Sequence, residues 1–245
     1  MVETWDDPSW DELTLPELFS AFMKKFPSEH RRFNKPQSTV PKNEAAPSLW
    51  GPLTSILDRL EAKSTELVST GGPFRKSTKR RSFTNSCFKM HANMGSRAWA
   101  RVPWIDLLDT RVGLKSTQEG LYIVYLFCAD MKSVFLCLHY GTTKLIRGGT
   151  TSRRKKDKAF RQYSNRMKPK FRSQEIFDIG FTNETIDLTG DDLRTPRGVQ
   201  LDWVFPILSK EYHLNNMPSE AEMINDFDCI HRLLTSKRAE HRLGS

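Results

Sequence analysis

The sequence lacks the short motifs through which many proteins bind metals or nucleotides. Its four cysteines form no C-x-x-C pair and its six histidines form no H-E-x-x-H pattern, so these common zinc-site signatures are missing. A G-x-x-x-x-G-K-[ST] phosphate loop is also missing, which argues against an ATPase or GTPase that uses this loop. We therefore expect no metal, no cofactor and no catalytic residue in this chain.

Long apolar runs and a basic amino-terminal segment are missing as well. No uninterrupted apolar stretch approaches the roughly 20 residues of a membrane helix, and the first seven residues are acidic where a signal peptide would be basic. Two of the cysteines lie in or beside apolar runs, which is typical of buried, reduced thiols. These features predict a protein inside the cell, in the cytoplasm near the nucleoid or in a eukaryotic nucleus, with no membrane partner.

Positive charge is what the sequence has in excess. It contains 38 Lys and Arg against 29 Asp and Glu, a formal net charge of +9, which favours nucleic acid as the partner. Two basic clusters suit contacts to DNA phosphates, although solvated surface or a nuclear-import signal would have the same composition. The cluster residues that we expect at DNA are Lys79, Arg80, Arg81, Arg153, Arg154, Lys155 and Lys156.

The chain divides by composition into four parts. Residues 1–26 are interpreted as an amphipathic helix with Thr14 as its N-cap, and residues 27–52, rich in Pro, Ser, Asn and Lys, as a linker. Residues 53–234 form the expected folded domain, and residues 235–245 a tail. The apolar stripe of the first helix could pack on this domain or on a partner protein.

Within the domain, apolar periodicity predicts an α+β fold with a mixed, mostly antiparallel sheet flanked by helices. The best-defined feature is a hairpin of two β-branched and aromatic runs. The predicted strands are Cys87–Ala92, Gly120–Phe127, Val134–Tyr140 and, more weakly, Glu175–Ile179; the predicted helices are Leu53–Val68, Ala159–Met167, Leu201–Tyr212 and one opening at Ser219.

The order of features from Phe88 to Tyr140 is the most specific signal. A strand is followed by a glycine loop, then Val102-Pro103-Trp104, a variable loop, Gly120-Leu121-Tyr122 before an apolar strand, and a second strand ending in an aromatic-Gly step. This order resembles the N-terminal DNA-binding domain of the McrB family of modified-cytosine restriction proteins. The resemblance implies a protein that binds duplex DNA and rotates a modified, for example methylated, cytosine into a pocket.

The resemblance also assigns the walls of that pocket to Trp104, Tyr122 and Leu126. A flipped base needs flat or apolar surfaces that replace its lost stacking. Tyr122 and Leu126 are four residues apart on one predicted strand, so both project from the same face. The alternative interpretation is that all three residues are ordinary core residues.

The glycine loop supplies further expected DNA contacts. Gly95 would let the backbone approach DNA closely, and Ser96, Arg97 and Arg101 could contact phosphate or enter a groove. A tight turn with solvated charges is the alternative. Ser96 stands where the family can have an aromatic residue, and a further family aromatic has no counterpart here, so the modification that is read stays open.

Two other functions remain open at this point. A metal-dependent nuclease could use Asp106 with Asp109, which we expect in a loop, or the Asp187–Asp192 acids. A protein-interaction adaptor could use the first helix together with Thr185–Asp192, a string that resembles a SUMO-interacting motif. In the McrB family cleavage requires a nucleotide-driven AAA+ motor and a nuclease, which would here come from separate chains or a longer parent protein.

Overall fold

A six-stranded sheet forms the centre of the fold. The computed structural model describes residues 9–33, 47–63, 82–84, 88–93, 102–109, 114, 116–142, 145, 153–189 and 204–243. The strands follow one another in chain order across the sheet, and all five described pairings are antiparallel. They are β1 (Ser82–Thr84), β2 (Phe88–Asn93), β3 (Trp104–Asp109), β4 (Leu121–Phe127), β5 (Ser133–Tyr140) and β6 (Leu208–His213).

Along the chain, helices come before the strands, between β5 and β6, and after β6. Short 3-10 helices occupy Trp10–Glu12 and Lys168–Phe171. The α-helices are α1 (Leu15–Phe33), α2 (Pro47–Lys63), α3 (Arg153–Met167), α4 (Gln174–Asp178) and α5 (Glu220–Leu243). The predicted α+β class is thus confirmed. None of the helices in the described residues is long and apolar enough to span a bilayer.

The two faces of the sheet have separate apolar clusters. Alternate residues of β2 to β5 pack with α1, α2 and α5 in the larger cluster, and we call this side the helix-covered face. The other residues of β3 to β5 form a second cluster with Ile186 and Leu188, and we call this side the second face. Period-two alternation along each strand produces this division.

The first helix is an integral part of the helix-covered face. Thr14 donates to Glu17 Oε2 from its backbone nitrogen at 2.7 Å and from its hydroxyl at 2.6 Å, which closes the amino-terminal turn. Phe19 lies 5.0 Å from Tyr125 and 5.7 Å from Phe127 between ring centroids. The apolar stripe of α1 therefore packs on the sheet of its own chain.

Several element predictions are wrong. Residues 208–212, predicted as the end of a helix, belong to β6, because the backbone groups of β5 need a partner strand and Pro206 cannot donate within a helix. The segment Glu175–Ile179, predicted as a weak strand, lies in α4 (Gln174–Asp178) and its C-cap. Asp106 and Asp109, expected in a loop, belong to β3. Helix α1 continues through Pro27 to Phe33, and α2 begins at Pro47, inside the range predicted as linker.

Candidate nucleic-acid interface

The three residues assigned to the pocket lie together on the second face. Trp104 of β3 is the register partner of Leu126 on β4, and Tyr122 precedes Leu126 by four residues on the same strand. All three pack in the second-face cluster. The structure thus brings together the residues that the sequence resemblance grouped.

The three residues differ in burial. Tyr122 is 2% exposed and Leu126 is 0% exposed, whereas Trp104, the first residue of β3, is only half-buried. A side chain with no exposed surface cannot stack on an incoming ring without moving. Trp104 is therefore the member of this group that presents an aromatic surface. Leu126 is its neighbour on the adjacent strand, and Tyr122 lies roughly 13 Å further along β4.

A hydrogen-bonded pair of His and Asp side chains lies beside Trp104 on the second face. Asp106 follows Trp104 by two residues, so the two side chains share a face, and its Oδ1 is 2.8 Å from Nδ1 of His91 on β2. The side chain of Asp106 is 6% exposed and that of His91 15%. We did not predict a site role for His91. The alternation of Trp104, Asp106 and Leu108 along a strand was the signal that could have revealed this pair.

The structure describes three of the carboxylates named for a nuclease, Asp106, Asp109 and Asp187, while Asp191 and Asp192 lie outside the described residues. Asp106 and Asp109 are three residues apart on β3, so their side chains leave opposite faces of the sheet. Asp187 accepts bonds from the Thr189 backbone nitrogen at 2.8 Å and hydroxyl at 2.6 Å, which is a turn-forming role. Among the described residues no group of three His, Cys, Asp or Glu side chains could hold a metal ion.

A second polar pair lies further along the same face. The Tyr122 hydroxyl is 3.4 Å from Nδ1 of His139, and the two rings are 5.6 Å apart between centroids. His139 is 0% exposed and stacks on Tyr140 with ring centroids 4.9 Å apart. Because both residues are buried, this contact fixes the orientation of the Tyr122 ring within the second-face cluster.

The segment after α4 covers part of the second face. Ile186 and Leu188 pack in the second-face cluster and are 8% and 0% exposed. Their backbones are fixed by hydrogen bonds from Ala129 N to Leu188 O at 2.8 Å and from Ile186 N to Val204 O at 3.1 Å. The apolar residues of the SUMO-motif-like string are thus already buried within this chain, which removes the basis for using them to add a strand to a partner.

Two cysteines complete the second-face cluster. Cys128 and Cys137 are buried there. Burial raises the pKa of the Cys137 thiol well above its ordinary value, and burial together with nearby carboxylates raises the pKa of Cys128. Thiols held in the protonated form are poor nucleophiles, so both residues serve as packing groups.

Positive charge is concentrated on α3. Arg154 and Lys155 are exposed and Lys156 is half-buried; Arg153 begins the helix. Arg161 lies with its guanidinium carbon 4.7 Å from the ring centroid of Phe205, which limits the freedom of its side chain. The other predicted DNA contacts lie outside the described residues: Lys79, Arg80, Arg81, Gly95, Ser96, Arg97 and Arg101.

Helix α3 is anchored at the opposite end of the strands from Trp104. The Tyr140 hydroxyl donates to the Phe160 carbonyl oxygen at 2.9 Å, and Tyr140 is the register partner of Leu121. Five residues separate Leu121 from Leu126, the partner of Trp104, which is roughly 17 Å along the strand. Tyr140 packs in the cluster of the helix-covered face, so α3 is anchored to that face of the sheet, whereas Trp104 lies on the second face.

Comparison with known proteins places these features in a family context. A family model described as "MrcB-like, N-terminal domain" matches residues 62–235. The match spans all six strands together with α3 and α4, and it begins after α1. No curated protein and no solved structure matches the chain.

Proposed function

The chain belongs to the MrcB-like N-terminal domain family, and from this we propose that it is a DNA-binding module that reads a modified cytosine flipped out of the duplex. The observation that carries the proposal is the half-buried Trp104, which stands on the second face against the buried Leu126. In this proposal the protein recognises DNA and does not cut it.

Stacking on Trp104 would offset part of the cost of extruding the base. A base that leaves the duplex loses stacking worth a few kcal/mol, and an aromatic side chain returns about 1–3 kcal/mol per base. The buried Leu126 opposite Trp104 would keep the indole in one orientation, so that little further ordering is needed when the base arrives. A rigid aromatic surface suits this task better than a mobile one.

The exposed basic residues of α3 would provide most of the affinity. Phosphate contacts release counterions and carry little sequence information. Arg154 and Lys155 would therefore bind the duplex backbone, while Trp104 would stack on the flipped base. The charge of +9 over the whole chain would also speed encounter with DNA.

In a restriction context such a module needs partners for cleavage. We propose that it reports the modified base to an AAA+ motor and a nuclease, which would be separate subunits or other parts of a longer protein. Its own role would end at binding and base extrusion.

A binding titration with matched duplexes tests the proposal. The duplexes share one sequence and carry cytosine, 5-methylcytosine, 5-hydroxymethylcytosine or, as a control modification, N6-methyladenine. We expect tighter binding to at least one modified cytosine than to cytosine and N6-methyladenine. Equal affinity for all four would contradict base reading, and no binding at low salt would contradict DNA binding altogether.

A further inference from the structure

We propose that the His91–Asp106 pair identifies the flipped base by accepting a hydrogen bond from the exocyclic amino group of cytosine. The inference rests on the proposed function and names the groups that would give it chemical selectivity. Trp104 can stack on any base, because every base has a flat face. A second group is therefore needed to tell a modified cytosine from other bases.

The position of the pair fits this role. Asp106 and Trp104 project from the same face of β3 two residues apart, roughly 7 Å along the strand. Across the sheet, Asp106 lies between His91 on β2 and Val124 on β4. A ring stacked on the indole would thus have an ionisable edge on one side and the apolar floor of the second face below it.

The energetics of the pair also call for a reason beyond stability. A carboxylate and an imidazole at 2.8 Å, with side chains 6% and 15% exposed, lose hydration that their attraction does not reliably repay. An apolar pair would fill the same space with less desolvation cost. A few polar side chains placed among apolar and aromatic ones are typical of sites that recognise a ligand.

The chemistry selects cytosine over thymine. The exocyclic amino group of cytosine is a donor, for which Asp is a matching acceptor. Nδ1–H of His91 donates to Asp106 Oδ1 and holds the carboxylate, and we assign Oδ2 to the amino group. Thymine has the same methyl group as 5-methylcytosine but an acceptor oxygen in place of the amino group, so the carboxylate would repel it.

The test compares 5-methylcytosine with thymine, each placed opposite an abasic site so that neither base is paired. We expect the wild-type protein to bind the 5-methylcytosine duplex about 10-fold or more tightly than the thymine duplex. Asp106→Asn, which has nearly the same shape, should lose most of this preference. Asp109→Asn is the matched control, because it removes a carboxylate from the same strand on the other face, and it should keep the preference.

A DNA-side substitution makes the test independent of the folding of any variant. Replacing 5-methylcytosine by 5-methylpyrimidin-2-one removes only the amino group and should weaken wild-type binding by a similar factor. If the wild type does not distinguish these bases, or if folded Asp106→Asn still does, the inference is wrong, while a preference for modified over unmodified cytosine would leave the proposed function standing. If that preference is missing too, both are wrong.

Discussion

Trp104 and Leu126 stand opposite each other on β3 and β4, and the indole is half-buried where the isobutyl group is completely buried. The exposed part of the Trp104 indole is a surface that a flat ligand can reach, and the buried Leu126 side chain is a fixed support beside it. It results from strand register: shifting β3 by one residue would place Ile105 at this point and turn Trp104 toward the helix-covered face. The antiparallel pairing of β3 and β4 is thus what creates the candidate site.

Helix α1 should be required for folding, although it precedes the residues matched by the family model. Phe22 is 0% exposed and its ring centroid lies 4.8 Å from that of Phe127. Phe22→Ala should lower the free energy of unfolding by about 3–5 kcal/mol, because it leaves a cavity against the sheet. Urea denaturation measures this loss. The control Lys24→Ala, at an exposed position of the same helix, should change stability by less than about 0.5 kcal/mol; equal effects of the two changes would place α1 outside the core.

Phosphate contacts from α3 should appear in the salt dependence of DNA binding. Changing both Arg154 and Lys155 to Gln should reduce the slope of log affinity against log salt by about 2, with similar losses for modified and unmodified DNA. Changing Lys24 and Lys63 to Gln removes the same charge from exposed positions of α1 and α2 and should leave the slope nearly unchanged. An unchanged slope in the α3 variant would remove this helix from the interface.

The Glu61 carboxyl should make the protein less stable as pH rises. Burial, with a smaller effect of the Asp58 carboxylate, raises the pKa of Glu61 to about 7 from its ordinary 4.5. The folded state therefore holds this proton more tightly than the unfolded state, so stability falls between about pH 4.5 and pH 7 and is then constant with respect to this group.

Glu61→Gln removes that pH dependence. Thermal denaturation at about pH 5 and pH 8 should show the variant gaining stability relative to the wild type at the higher pH, because only the wild type must ionise a partly buried carboxyl. A wild-type minus variant difference that is the same at both pH values would show that the pKa of Glu61 is ordinary in the folded state.

Much of the second face could be predicted because its residues lie on regular, strongly apolar strands. Alternation placed Tyr122 and Leu126 on one face, and the two apolar runs predicted as a hairpin form the antiparallel pair β4 and β5. The family order added Trp104. These features depend on the local order of residue types along the chain, which can be read from a single sequence.

The remaining parts depend on contacts between distant segments. The run of residues 208–213 has no apolar alternation of its own and becomes β6 by pairing with β5, about 70 residues earlier. Asp106 was predicted in a loop because acidic residues are uncommon in buried strands. Its place in β3 is explained by His91 of β2, whose Nδ1 lies 2.8 Å from Asp106 Oδ1. Local periodicity contains no information about either partner.

The central claim is that a flipped base stacks on Trp104, and base extrusion can be measured directly. A fluorescent base analogue at the target position brightens when it leaves the stack. The wild type should brighten it on binding, and folded Trp104→Ala, checked by circular dichroism, should lose most of this signal and of the preference for modified DNA while keeping salt-dependent binding.

The control Trp10→Ala removes a half-buried indole that packs against the other apolar cluster and should behave as the wild type. If Trp104→Ala brightens the analogue and discriminates modified DNA as the wild type does, the claim is contradicted.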